Sequence, residues 1–249
     1  MFSFFSKNKK PRKLWFNTDI HCHVLPGIDD GSPDVDTSVE LVKRMKDFGL
    51  ERIIASPHVT QLTFENSRET LQPAYESLKE RLESENVNID LSYAAENRMD
   101  ELFSRNLENN NLISYPNDWL LVENAFIQEP WNIDQLIFDL QVRGYRPILA
   151  HPERYQYYSG RRDRYRRLHD AGAAFQINVL SLAGVYGKGE KQVAEWLIAH
   201  KMVDFCGTDL HNHKHADAIE AYLGSKDAVR HAKALSEVIK NDTAFTVKK

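Results

Sequence analysis

The chain has 249 residues, 42% hydrophobic and 27% charged, with 32 basic side chains against 36 acidic for a net charge of −4. That balance fits a folded globular protein and argues against a general nucleic-acid binder. Two cysteines, Cys22 and Cys206, cannot build a disulfide framework, which points to a reducing compartment and hence a cytoplasmic location. At the start of the chain Phe2, Phe4 and Phe5 precede Lys7, Lys9, Lys10, Arg12 and Lys13, the reverse of the order in a signal peptide. Residues 1–14 are therefore expected to be a flexible basic tail, suited at most to weak contact with a membrane surface. No apolar run approaches the ~20 residues needed to span a bilayer.

Beyond the tail, β-branched apolar runs alternate with helical periodicity. Strands are expected over 16–21, 52–56, 89–94, 119–123, 147–150, 174–179 and 203–207. Helices are expected between them over 36–48, 67–85, 99–106, 132–143, 161–170 and 190–200, with more helix at 216–223 and 226–239. Gly49, Gly144 and Gly172 supply stop signals just past three of these helices. Seven βα units without a linker predict one α/β domain over 15–249, a closed parallel barrel of TIM-like type. An open nucleotide-binding sheet lacks support, because no GxGxxG or GxxxxGK[ST] follows a strand.

Residues of metal-ligand type collect where these strands end. His21 and His23 leave the first strand on one face, with Cys22 on the other, and Asp29 and Asp30 follow in a Gly/Pro loop. His58, Glu96, Glu123, His151, Asp209 and His211 follow later strands. Any one of these is an ordinary loop residue, but their recurrence on one rim predicts a polynuclear metal site. Imidazoles and carboxylates without thiolate suit Mn²⁺, Fe²⁺ or Zn²⁺, two or three ions, with Glu96 as a bridging carboxylate.

Taken in order, D-I-H-C-H-V-L-P-G-I-D-D-G from Asp19, S-P-H from Ser56, A-A-E from Ala94, H-P-E-R from His151 and T-D-L-H-N from Thr208 resemble the polymerase and histidinol phosphatase (PHP) superfamily. Within it the chain resembles the bacterial manganese-dependent protein-tyrosine phosphatases of capsular and exopolysaccharide operons. The resemblance runs from about residue 15 to about residue 215 and implies a distorted (β/α)7 barrel loaded with Mn²⁺. It implies His21, His23, Glu96 and Asp209 around a first metal, and Glu96, Glu123 and His151 around a second. His58, His211 and either Asp29 or Asp30 would hold a third, and Arg154 would bind substrate phosphate. Relatives tend to carry a second arginine a few residues after the D-x-H motif. Here His213-Lys214-His215 stand there, so Lys214 is expected to substitute as a point charge and His213 or His215 to donate a proton.

The implied reaction is phosphomonoester hydrolysis by attack of a metal-bound hydroxide on phosphorus, since a metal lowers the pKa of bound water from 15.7 to about 7. A tyrosine leaving group, with a pKa near 10, depends little on a strong general acid. The cysteine route is excluded, because it requires Arg six positions after Cys, and Ile28 and Asn212 occupy those positions. The expected partner is a phosphotyrosine protein, the tyrosine-rich tail of a membrane-bound capsule or exopolysaccharide kinase. The alternatives are a histidinol-phosphate or sugar-phosphate hydrolase, a nuclease (disfavoured by the net charge), or a metal-binding module without turnover. Arg161, Arg162, Arg164, Arg166 and Arg167 form either a solvated helix face or a docking patch for an acidic tail.

Overall fold

A computed structural model describes residues 13–246. The expected basic tail lies outside the described residues except for its last two positions. Of these, Leu14 is buried in the core and donates its amide to the Phe48 carbonyl at 2.8 Å.

The strands are β1 (Thr18–Asp19), β2 (Arg52–Ala55), β3 (His58–Val59), β4 (Asp90–Tyr93), β5 (Glu96–Arg98), β6 (Trp119–Glu123), β7 (Arg146–Ala150), β8 (Ala174–Asn178) and β9 (Phe205–Gly207). All pair in parallel, in the orders β1-β2-β4 and β3-β5-β6-β7-β8-β9. They fill the seven positions expected, because two strands are each broken once. Ser56-Pro57 separates β2 from β3, where proline has no N–H to give the ladder, and Ala94-Ala95 separates β4 from β5. At these breaks the chain passes from the first sheet into the second. The circle closes where β9 returns to β1: the Asp209 amide donates to the His21 carbonyl at 2.7 Å and the His23 amide to the Leu210 carbonyl at 2.9 Å. The result is the distorted (β/α)7 barrel.

Helices α1 (Val35–Asp47), α2 (Arg68–Ser84), α3 (Glu101–Glu108), α4 (Ile133–Val142), α5 (Arg162–Asp170), α6 (Val179–Ala183), α7 (Lys188–Ala199), α8 (His213–Leu223), α9 (Lys226–Leu235) and α10 (Asn241–Ala244) cover the strands. Their starts are chemically explicit: Asp34, Asp100, Asn212 and Ser225 each cap the first turn of the helix that follows. Two short helices, α6 and α10, have no counterpart in the sequence expectation; α6 takes up the chain directly after Asn178. Ile20, Ile54, Leu121, Ile148, Ala150 and Phe205 pack together as one small apolar cluster. Their alternate neighbours, among them Ile53, Leu120, Val122 and Leu149, belong to the larger core shared with the helices. Cys22 and Cys206 are fully buried in that larger core, and burial pushes both thiols up, away from reactivity.

Candidate metal centre

The side chains expected on the rim gather at the carboxyl end of the barrel, where Asp30, His58, Glu96, Glu123, His151, Asp209 and His211 line a cleft of about 480 Å³ and His21 and His23 lie buried. Glu96 stands in the middle. Its Oε2 lies 3.2 Å from His21 Nε2, 3.5 Å from His23 Nε2 and 3.1 Å from His58 Nδ1, while Oε1 lies 3.0 Å from His151 Nε2. On one side Asp209 Oδ1 comes within 3.4 Å of His21 Nε2 and 3.5 Å of His23 Nε2. On another Glu123 Oε1 sits 3.6 Å from His151 Nε2. Among the described residues, four groupings have ligand atoms close enough to share an ion: His21–His23–Glu96, His21–His151–Asp209, His58–Glu96–Glu123 and His23–Asp30–His58–His211.

Neighbouring groups aim these ligand atoms inward. Gln176 Oε1 meets His21 Nδ1 at 2.7 Å and Asp29 Oδ2 meets His23 Nδ1 at 2.8 Å, so each ring turns its Nε2 to the centre. Asp209 Oδ2 accepts from Asn178 Nδ2 at 2.6 Å, Arg154 Nη1 at 2.9 Å and the Tyr186 hydroxyl at 3.2 Å, which leaves Oδ1 to face the histidines. Asp19, buried beneath, accepts from the Thr208 hydroxyl and amide and fixes the strand end before Asp209. Gly207 permits this packing: an added Cβ would stand 2.5 Å from that of His21. Both His151 (φ 31°) and Asp209 (φ 51°) adopt left-handed backbone, a costly choice for non-glycine residues and a common one at functional sites.

The adjacent carboxylates Asp29 and Asp30 take different parts. Besides His23, Asp29 accepts from the amides of His58 and Gly31, so the protein's own donors engage both of its oxygens. Asp30 Oδ1 lies 3.5 Å from both His58 Nε2 and His211 Nε2, where a ligand shared with those rings belongs.

The donor set fits divalent cations on physical grounds. His21 Nε2, His23 Nε2, His58 Nδ1 and Glu96 Oε2 are buried and have no hydrogen-bond partner, a condition that polar atoms rarely tolerate. Burial, followed by the charge of Glu96, pushes the Glu123 carboxyl up to about 8. Burial works against a charged His21, but the carboxylates of Glu96 and Asp209 outweigh it and raise that ring to about 9. At His21 the carboxylates thus hold a proton where a metal ion would satisfy both ring and carboxylates.

Arg154 lines the cleft with its guanidinium between the Tyr186 ring, 4.0 Å away, and the Phe126 ring, 4.7 Å away. His213 and Lys214 do not join it. Both are exposed at the start of α8 and outside the cleft lining, and His213 Nε2 meets Glu40 Oε2 at 3.3 Å. His215, one helical turn from His211, does line the cleft. Sequence reasoning missed Gln176, Arg98, Tyr186, Phe64 and Phe126; the first two carried a signal, since each sits two residues from an inward-facing rim residue on its strand. The arginine-rich segment divides as well. Arg164 is buried in ion pairs with Glu129 and Asp134, Arg162 and Arg166 lie over Trp196, and Arg161 is exposed.

Fold and rim together are those of a metal-dependent barrel enzyme of PHP type. The chain belongs to the CpsB/CapC family of capsular polysaccharide synthesis, whose model matches residues 17–221. Tyrosine-protein phosphatase YwqE of Bacillus subtilis (strain 168) is 34% identical over 198 residues, 79% of this chain and 78% of that protein. Tyrosine-protein phosphatase CpsB of Streptococcus pneumoniae is 24% identical over 204 residues, 78% of this chain and 82% of that protein. A crystal structure from work on YwqE and CpsB, described there as unique metal-dependent tyrosine phosphatases, matches with a TM-score of 0.76 at 30% identity, covering 93% of this chain and all of that one. An amidohydrolase from Mycoplasma synoviae, at 14% identity and a TM-score of 0.53, shares the fold.

Proposed function

We propose that this protein is a metal-dependent protein-tyrosine phosphatase. Its substrate is the phosphorylated, tyrosine-rich tail of a membrane-bound capsule or exopolysaccharide kinase, and it works in the cytoplasm at the membrane face. The observation that carries the reading is the convergence of buried imidazole nitrogens of His21, His23 and His58 within 3.5 Å of Glu96 Oε2, beside an arginine packed on two aromatic rings. The protein would hold two or three ions, Mn²⁺ in preference to Fe²⁺ or Zn²⁺. His21, His23, Glu96 and Asp209 form the first ligand group, Glu96, Glu123 and His151 the second, and Asp30, His58 and His211 the third.

Bound divalent ions there supply hydroxide at neutral pH and neutralise charge on the phosphoryl oxygens. Arg154, its Nη1 tied to Asp209, offers its remaining donors to those oxygens, where charge resides in the transition state. Phe64 and Phe126 give the cleft apolar walls for an aryl leaving group, and His215 is the imidazole on the lining that can meet the leaving oxygen. Ile127 and Trp131, 91% and 95% exposed in the loop that follows Phe126, offer apolar surface suited to a longer peptide.

The test is chelation followed by add-back of Mn²⁺, Fe²⁺ or Zn²⁺, assayed on a phosphotyrosine peptide, histidinol phosphate and a sugar phosphate. The proposal requires metal-dependent turnover with preference for phosphotyrosine. Preference for a small-molecule ester would replace it with the small-molecule phosphatase, and no turnover with any metal would leave the non-catalytic module. Arg161→Glu combined with Arg162→Glu should slow hydrolysis of a phosphorylated protein and leave p-nitrophenyl phosphate untouched. Equal losses on both would remove the docking role.

A further inference from the structure

We propose that Arg98 is a second phosphate-binding group of the cleft, closing on the phosphoryl oxygens from the side opposite Arg154; the inference rests on the phosphatase reading. A phosphate monoester presents three nonbridging oxygens, and Arg154 has already committed one of its nitrogens to Asp209. His213 and Lys214 stand outside the cleft, so the helix that follows Asp209 supplies no cation on the lining other than an imidazole. Arg98 and Arg154 are the two guanidinium groups that line it.

The backbone places Arg98 deliberately. It lies two residues after Glu96 on β5, so the two side chains leave the same face of the strand and rise into the barrel mouth. Strand β6 separates β5 from β7, and Arg154 follows β7 in the short turn Pro152–Arg154. Both side chains reach the lining of one cleft, where two guanidinium groups can meet a single phosphoryl group. Orientation is also fixed. Arg98 Nε donates to Glu123 Oε2 at 2.8 Å, while Glu123 Oε1 is the atom turned toward His151. With Nε committed, the guanidinium edge bearing Nη1 and Nη2 remains for a ligand. Neither of these nitrogens has a hydrogen-bond partner among the described residues, and the side chain is 25% exposed. A planar, permanently charged fork held by one nitrogen is the arrangement that grips phosphate bidentately.

The test uses the full chain loaded with Mn²⁺, with inorganic phosphate as the probe. Phosphate binding is measured by calorimetry and as product inhibition of p-nitrophenyl phosphate hydrolysis, and Mn²⁺ binding is measured separately. Arg98→Gln should weaken phosphate and raise KM by about tenfold to a hundredfold, with Mn²⁺ affinity within about threefold of the parent. Arg98→Lys should recover part of the loss, retaining charge without the fork. Unchanged phosphate binding in both variants overturns the inference. So does a loss confined to Mn²⁺ binding, which would make Arg98 a positioning residue for Glu123. If the parent chain hydrolyses no phosphate ester, the phosphatase reading fails by itself, and the calorimetric phosphate titration still decides the role of Arg98. Thermal unfolding of each variant separates these outcomes from a folding defect.

Discussion

The two ends of the barrel each set a carboxylate beside histidine, and they treat it in opposite ways. At the amino end, Asp204 before β9 accepts from His169 Nε2 at 3.0 Å, the Phe175 amide at 3.0 Å and Lys240 Nζ at 2.6 Å, so both oxygens are satisfied by the protein. At the carboxyl end, Glu96 Oε2 and three facing imidazole nitrogens have no hydrogen-bond partner. The residue types are the same. A satisfied network ties elements together, whereas a network left short of positive charge and donors is built for something the chain itself does not supply.

That contrast is best broken from the rim. His21→Ala, which removes a ring that faces both Glu96 and Asp209, should lower kcat by at least about a thousandfold. It should also abolish the rise in Tm on adding Mn²⁺, because a lost site cannot contribute binding energy to the folded state. Residual Mn²⁺-dependent activity near the parent level would separate His21 from the metal centre.

A smaller loss is expected one layer out. Asp29→Asn leaves the ligand set intact but weakens the hold on His23 Nδ1, and should cost about tenfold to a hundredfold in metal affinity or activity. Asp30→Asn should instead change the number of ions bound. Identical stoichiometry in the two variants would cancel the distinction drawn between them.

At the opposite end, Asp204→Asn should leave metal binding alone and cost about 1–3 kcal/mol of stability. Burial raises the pKa of this carboxyl, but His169, Lys240 and the Phe175 amide together hold it below the ordinary carboxylate value. A carboxyl depressed by folding contributes stability above its unfolded pKa of about 3.9, and that contribution disappears as pH falls through the lower folded value. The difference in Tm between parent and variant should therefore be large at pH 7 and shrink below about pH 4. A difference that grows on acidification would contradict the account of this cluster.

The smallest effect is expected at Lys214. Lys214→Ala should change KM and phosphate inhibition by less than about twofold, because that side chain lies exposed outside the cleft. A tenfold rise in KM would restore it as a phosphate ligand.

The sequence made the rim legible because parallel strands deliver their carboxyl ends to one place, so His21, His23, His58, Glu96, Glu123, His151, Asp209 and His211 could be gathered without coordinates. Two kinds of detail were not legible. Asp29 and Asp30 are neighbours of one type, and only the loop's path turns the first back to His23 and the second toward His211. His213 and Lys214 failed to join the cleft because α8 starts there, and its first turn brings His215 back beside His211 while His213 and Lys214 point outward. Of the strand breaks at Ser56-Pro57 and Ala94-Ala95, the second was likewise hidden. Proline marked the first, and apolar Ala94-Ala95 carried no local signal of the second.

The central claim, that Glu96 is shared by more than one ion, is tested most directly by counting ions. Mn²⁺ bound per chain should be measured by elemental analysis after equilibrium dialysis, for the parent and for Glu96→Ala. Two or three ions on the parent, falling by at least two in the variant while the fold persists, is the expected result. One ion or none on the parent, or an unchanged count in Glu96→Ala, would contradict it.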